Sequence, residues 1–167
     1  MYECAACGFS FEVADAESVG RLLTGRAKGV VLALRTTPPA QVRTRPDAST
    51  WSPLEYGCHL RDVLLVQRER VLWARRTDCP EPEKMGREER VDHDGYASQD
   101  PADVARQLAD AAALFANVLD RLPPSDWERV LVYNYPERME RSLRWVAVHT
   151  LHEVVHHGAD IDAQLSR

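Results

Sequence analysis

The chain has 167 residues and a formal net charge of -5, with a sequence pI near 5.7. That is enough for one domain with a real core and too little for two large ones. No basic stripe marks nucleic acid as the main partner, and no apolar run is long enough for a membrane span or forms a secretory leader at Met1. Cys4, Cys7, Cys58 and Cys79 are too few and too scattered for a disulfide-stapled secreted fold, so a soluble cytoplasmic protein is expected.

The N-terminal stretch, residues 1–14, reads as an extension to the domain formed by residues 15–167. Its Cys4-Ala5-Ala6-Cys7-Gly8 turn looks like one knuckle of a zinc ribbon. A structural zinc takes four ligands, and no second Cys-x-x-Cys follows. Cys4 and Cys7 therefore read as half of a second metal site, as a redox pair, or as part of an inert tail.

From about Asp15 to Leu34, Val19, Leu22, Leu23, Ala27, Val30, Val31 and Leu34 recur at helical spacing. Residues 36–50, with Pro38, Pro39 and Pro46, read as a loop. Trp51-Ser52-Pro53-Leu54-Glu55 then combines serine at the N-cap, proline at N1 and glutamate at N3, a capping box that opens a second helix running to about Arg76. Along it His59 shares a face with Tyr56, Val63 and Val66 and points at the core, as a hydrogen-bonded core histidine or as a ligand facing the fourth helix.

Residues 78–100 are polar and broken by Pro80, Pro82, Gly86 and Gly95, with His93 as a solvated loop histidine. A loop of this length can return along the whole bundle, so the third helix, opened by Pro101 after Asp100, is expected to run parallel to the second. Pro123-Pro124 ends it. Within the segment 127–136, Val130 to Pro136 reads as extended, with Tyr133, Asn134 and Tyr135 clustered ahead of a fourth helix that begins near Ser142 and carries Trp145, Val146, Ile161 and Leu165.

The fourth helix holds the densest chemistry in the chain. His149, His152, His156 and His157 fall within nine residues. At helical spacing His149, His152 and His156 form one stripe, with His157 about a quarter-turn away. Stacked histidines repel when protonated and bond poorly when buried neutral, a conflict that a divalent metal resolves; the plain alternative is solvated histidines near a helix C-terminus. With His59 facing the stripe, His59, His152 and His156 make a three-histidine site on an all-α four-helix bundle with one long crossover. Three protein ligands leave coordination positions open, as catalytic metals require. Glu153 and Asp160 flank the ligands as groups able to fix imidazole tautomers. Imidazole suits zinc, nickel and iron alike.

Two segments carry a resemblance to a known family. Trp51 to Asp62, with its capped start and His59, and His149 to Ile161, with ligands four apart and a following acid, are similar to the helix-two and helix-four motifs of the DinB/YfiT-like bundles. These include mycothiol- and bacillithiol-dependent enzymes. The resemblance spans about residues 15–165 and implies an up-down-down-up bundle binding a divalent metal through His59, His152 and His156. It also implies a low-molecular-weight thiol of the mycothiol type, whose metal-bound thiolate attacks a small electrophile. Cys4 and Cys7 lie outside the family pattern.

Three functions follow. The first is a metal-dependent thiol transferase, its substrate entering beside Tyr56, Tyr133 and Asn134, with Arg61 and Arg144 meeting a cofactor carboxylate. The second is a metal-dependent hydrolase whose base comes from Glu55, Asp62, Glu153 or Asp160. The third is a non-enzymatic metal- or stress-responsive module acting through the cysteine knuckle. The partner in the first two is a small molecule, and the chain is a monomer or a homodimer.

Overall fold

The computed structural model describes residues 3–135 and 137–166. Its body is made of α1 (Val19–Thr36), α3 (Pro53–Arg76), α5 (Pro101–Asp120) and α6 (Leu143–Leu165), with α2 (Pro39–Val42) and α4 (Arg87–His93) as short helices in the connections. A hairpin of β1 (Val130–Asn134) and β2 (Arg138–Ser142) precedes α6.

The helices α3, α5 and α6 begin where a capping side chain satisfies free backbone amides. At α3 the Ser52 hydroxyl accepts from the Glu55 amide at 3.3 Å, and the Glu55 carboxylate accepts from the Ser52 amide at 2.8 Å. Such a cap stabilises by about 1 kcal/mol. Arg45 forks onto the same carboxylate at 2.8 and 2.5 Å, tying the preceding loop to the helix start. Asp100 accepts from the amides of Ala102 and Asp103 at the head of α5, and Ser142 accepts from Trp145 at the head of α6.

Close approaches set the helix directions. Gly57, near the start of α3, lies against Leu34 at the end of α1 and Val104 near the start of α5; an added Cβ there would meet Leu34 Cδ1 at 2.7 Å. Gly20 at the start of α1 faces Asp120 at the end of α5, and Gly158 late in α6 faces Val30 late in α1. So α3 and α5 run parallel, α1 and α6 run the other way, and the bundle is up-down-down-up. Leu23, Leu34, Leu60, Leu64, Leu108, Phe115, Val146 and Ile161 belong to its single core.

The crossover does return the chain along the bundle, but it is more ordered than a loop. It contains α4 and a 3-10 turn at Tyr96–Ser98. Tyr96 is fully buried and donates to Asp62 Oδ2 at 2.6 Å, while Arg61 donates to Asp62 Oδ1, Gln99 and Gln107 at 2.7 Å each. This network pins the crossover to α3.

The first helix also differs from expectation, since a 3-10 helix at Val13–Ser18 precedes α1. The expected extended stretch from Val130 forms β1 after a 3-10 turn at Pro124–Glu128, and β1 pairs antiparallel with β2, Val130 opposite Ser142 and Asn134 opposite Arg138. Pro136, the last residue of that predicted stretch, lies outside the described residues. Among the described residues no helix is long and apolar enough to cross a membrane.

Candidate metal centre

On α6 the residues Val146, Thr150, Val154 and Ile161 are buried and define the side turned to the core. At about 100° per residue, His157 lies about 25° from the centre of that stripe, Glu153 about 65° and His152 about 165°. His149, Glu153 and His157, spaced by four, therefore form the edge that meets α3. His152 and His156 occupy the back of the helix.

Contacts follow this division. His59, buried on α3, places Nε2 3.7 Å from Glu153 Oε2, and His157 Nε2 lies 3.7 Å from the same oxygen. The ligand atoms of His59, Glu153 and His157 all fall within 4.8 Å of one another. The expected grouping of His59 with His152 and His156 is thus split. The structure keeps His59 in the bundle site but joins it to Glu153 and His157, one helical position beyond the expected pair. His152 and His156 meet Cys4 and Cys7 instead, again with all ligand atoms within 4.8 Å. The rotational reading from the apolar stripe could have found this, because Val146, Thr150, Val154 and Ile161 point the His157 edge inward.

The donor set at the bundle site suits a divalent cation. Two imidazoles and a carboxylate recur at catalytic zinc and at non-haem iron. A tetrahedral ion with bonds near 2.1 Å would want donor separations of about 3.4 Å, a few tenths less than the gaps found. His59 Nδ1 is buried without a hydrogen-bond partner. Behind His157, Nδ1 pairs with Asp160 Oδ2 at 3.0 Å, the carboxylate–histidine arrangement that fixes a ligand's tautomer. Asp160 Oδ2 also sits 3.8 Å from His156 Nε2, so one carboxylate backs a ring in each cluster.

The charges are already sorted. Burial holds His59, His149 and His152 below the usual histidine range, leaving neutral rings. Burial also opposes a charge on His157, but hydrogen bonds to Asp160 and Glu153 outweigh it and raise its pKa to about 9. For Glu153, desolvation pushes upward, and hydrogen bonds to His157 and His59 win and hold the carboxyl well below the usual carboxylate range. Outside the bundle, the Cys7 and Ala6 amides facing the Cys4 sulfur draw its pKa down to about 7.

The rim is aromatic. Tyr56 stacks on His157 at 5.0 Å, and Trp51 packs on His59 at 5.1 Å. On the other side Trp145 stacks on His149 at 4.5 Å, and Tyr133 meets His149 edge-on at 5.4 Å. Tyr56 and Tyr133 therefore lie against the histidines of α6, Tyr133 buried with its hydroxyl accepting from Gln67. Asn134 and Arg144 do not. Asn134 donates to the Pro82 carbonyl at 3.2 Å, and Arg144 pairs with Glu128 and Glu17 on the outer surface. Of the acids considered as a base, Glu55 is locked by Arg45 and Ser52, Asp62 by Arg61 and Tyr96, and Asp160 by His157. A groove of about 510 Å³ lined by Arg61, Asp62, Gln99 and Gln107 shares no lining residue with the histidine cluster.

Comparisons with known proteins agree with this architecture. The family profile of the DinB superfamily matches residues 23–161. Among solved structures, YfiT from Bacillus subtilis superposes with a TM-score of 0.79 at 12% identity, over 94% of this chain and 91% of that one. That protein is described as a probable metal-dependent hydrolase with an unusual four-helix bundle topology. No curated protein matches the sequence.

Proposed function

The chain belongs to the DinB superfamily, and from that premise we propose that it is a metal-dependent hydrolase of a small substrate, with His59, Glu153 and His157 holding the cation. The observation that carries this reading is the pair of imidazoles meeting one carboxylate at 3.7 Å on each side, inside the bundle and under an aromatic rim. A divalent cation there would supply Lewis acidity, polarising a carbonyl and lowering the pKa of water.

The protein's own groups do the rest. Asp160 accepts the Nδ1 proton of His157 and so directs Nε2 into the site. His149 is the group we assign to take a proton: it is neutral, its Nε2 is 3.8 Å from Glu153 Oε1, and Trp145 holds its ring in place. General bases act from hydrogen-bond reach, and geometry in a ligand-free site is often loose. Trp51, Tyr56, Trp145 and Tyr133 would grip the apolar body of the substrate and keep bulk water out.

Thiol transfer with a mycothiol-type cofactor is the second reading. Tyr56 and Tyr133 serve it equally well, but Arg144 and Asn134, its expected polar contacts, are engaged elsewhere.

The test is turnover of a chromogenic ester and amide panel by zinc-, nickel- or iron-loaded protein, compared with His149→Gln and His157→Gln. Metal-dependent hydrolysis that falls in His149→Gln with metal still bound, and vanishes in His157→Gln, supports the proposal. Hydrolysis unaffected by His157→Gln overturns it. Turnover only when a low-molecular-weight thiol and an electrophile are both present assigns the site to thiol transfer.

A further inference from the structure

We propose that Cys4, Cys7, His152 and His156 form a second, closed metal site of the Cys₂His₂ type, which takes zinc and clamps the N-terminal segment across the back of α6. The inference stands apart from the hydrolase reading and shares no ligand with it.

The knuckle is already folded. The Cys4 amide donates to the Phe9 carbonyl at 2.9 Å, the Gly8 amide donates to the Cys4 carbonyl at 2.8 Å, and Glu3 bridges Ser10 in antiparallel fashion. Gly8 turns the chain at φ +69°, where a side chain would be strained. Both sulfurs thereby face α6, whose His152 and His156, four apart, present their rings together at 5.2 Å. This is the ligand spacing of a zinc-binding pair completed from a distant part of the chain.

The separations fit an ion. Cys4 Sγ lies 3.6 Å from His156 Nδ1. Bonds near 2.3 Å to sulfur and 2.05 Å to nitrogen at tetrahedral angles require about 3.6 Å. His152 supplies an independent sign, since both its ring nitrogens are buried without a hydrogen-bond partner. A histidine on the back of a helix would ordinarily reach water. Here Phe9 and Phe11 pack on it at 5.4 and 4.8 Å, and its nitrogens are buried with Nδ1 3.8 Å from Glu153 Oε1, beyond hydrogen-bond reach. Two thiolates and two imidazoles select zinc among common divalent ions, and four protein ligands leave no position for substrate, so the site is structural.

Cobalt(II) titration into metal-free, reduced protein reads the two sites separately. Thiolate ligation gives a charge-transfer band that a histidine–carboxylate site does not. We expect the band in wild type and in His157→Gln, and its loss in Cys4→Ser/Cys7→Ser and in His152→Gln/His156→Gln. The knuckle lies outside the four-helix core, so the helical circular dichroism should remain. A second measurement covers misfolding of any variant: zinc should protect Cys4 and Cys7 of wild type from alkylation while Cys79 reacts as before. Cobalt bound without a thiolate band, a band that survives loss of both histidines, or equal alkylation with and without zinc would overturn the site. Hydrolysis that persists in His157→Gln with the band intact would overturn only the proposed catalytic centre.

Discussion

The two sides of α6 carry similar residues toward different ends. On the inner edge, Glu153 and His157 meet His59 across the bundle, so the ligand atoms come from two long helices held by the core. On the back, His152 and His156 meet Cys4 and Cys7, which ride on a short turn held by a few backbone hydrogen bonds. The first set has three ligands and leaves coordination positions open. The second has four, two of them thiolates, and is complete. The packed core can hold three ligands in place without metal, whereas the knuckle draws its own stability from the ion it binds.

The sharpest way to break this comparison is to remove an inner ligand. His157→Gln or Glu153→Gln should lower activity by more than about 100-fold, the upper range for merely losing an outer partner of a metal ligand. Zinc content should fall by one equivalent, with the thiolate band of the cobalt protein unchanged. Loss of both metals together would show that the two sites are one.

Removing the outer site should act on stability. Zinc at about 1,000 times its dissociation constant stabilises by about 4 kcal/mol, or about 8–16 °C in melting temperature for a chain of this size. Chelation should therefore lower the melting point of wild type by more than that of Cys4→Ser/Cys7→Ser. The difference between the two drops isolates the knuckle, and an equal drop would assign the whole effect to the bundle.

Asp160 joins the two sides, because its carboxylate backs both His157 and His156. Asp160→Asn should weaken metal binding at the bundle site about 10–100-fold, as for other outer partners of a ligand. A pH titration of the metal-free protein sharpens the point. The pKa of His157 is raised from 6.5 to about 9, so its protonation stabilises the fold fully below about pH 6.5, and that contribution is lost as pH rises through about 9. Chemical denaturation of metal-free wild type should show this decline between those limits. Asp160→Asn should flatten it, and saturating zinc should remove it, since the metal takes the place of the proton on His157.

Much of this was legible in the residues. The α3 start followed from Ser52, Pro53 and Glu55, and the length of the crossover foretold α5 running parallel to α3. The histidine cluster announced a metal, but spacing by four fits His152/His156 and Glu153/His157 equally, because it fixes separation and not rotation. The rotation was written in Val146, Thr150, Val154 and Ile161. Glu153 was passed over as a ligand because a carboxylate in a row of histidines reads as their neighbour. What no local pattern held was the meeting of Cys4 with His156, residues 152 apart along the chain, which depends on where the N-terminal segment lies across α6. β2 was equally hidden, since Arg138 to Ser142 holds Met139 as its one apolar residue and becomes a strand only by pairing with β1.

The smallest expected effect separates the two catalytic readings. A thiol cofactor bearing a carboxylate needs a cation near the metal, and the expected ones were Arg61, which Asp62, Gln99 and Gln107 hold, and Arg144. In the structure the Arg144 guanidinium bonds Glu128 at 2.7 Å, reaches Glu17 at 3.3 Å and lies 5.7 Å from the centre of the Trp127 ring. These partners belong to the outer surface at the start of α6, and exposed pairs of this kind add little to stability. Arg144→Ala should leave kcat, KM and metal content unchanged, with the melting temperature within experimental scatter. A rise in KM for a thiol, with ester hydrolysis unaffected, would mean that Arg144 leaves Glu128 to meet a cofactor, and the thiol-transfer reading would then take precedence. An unchanged KM for both leaves the inner edge of α6, with His149 beside Glu153, as the whole of the working site.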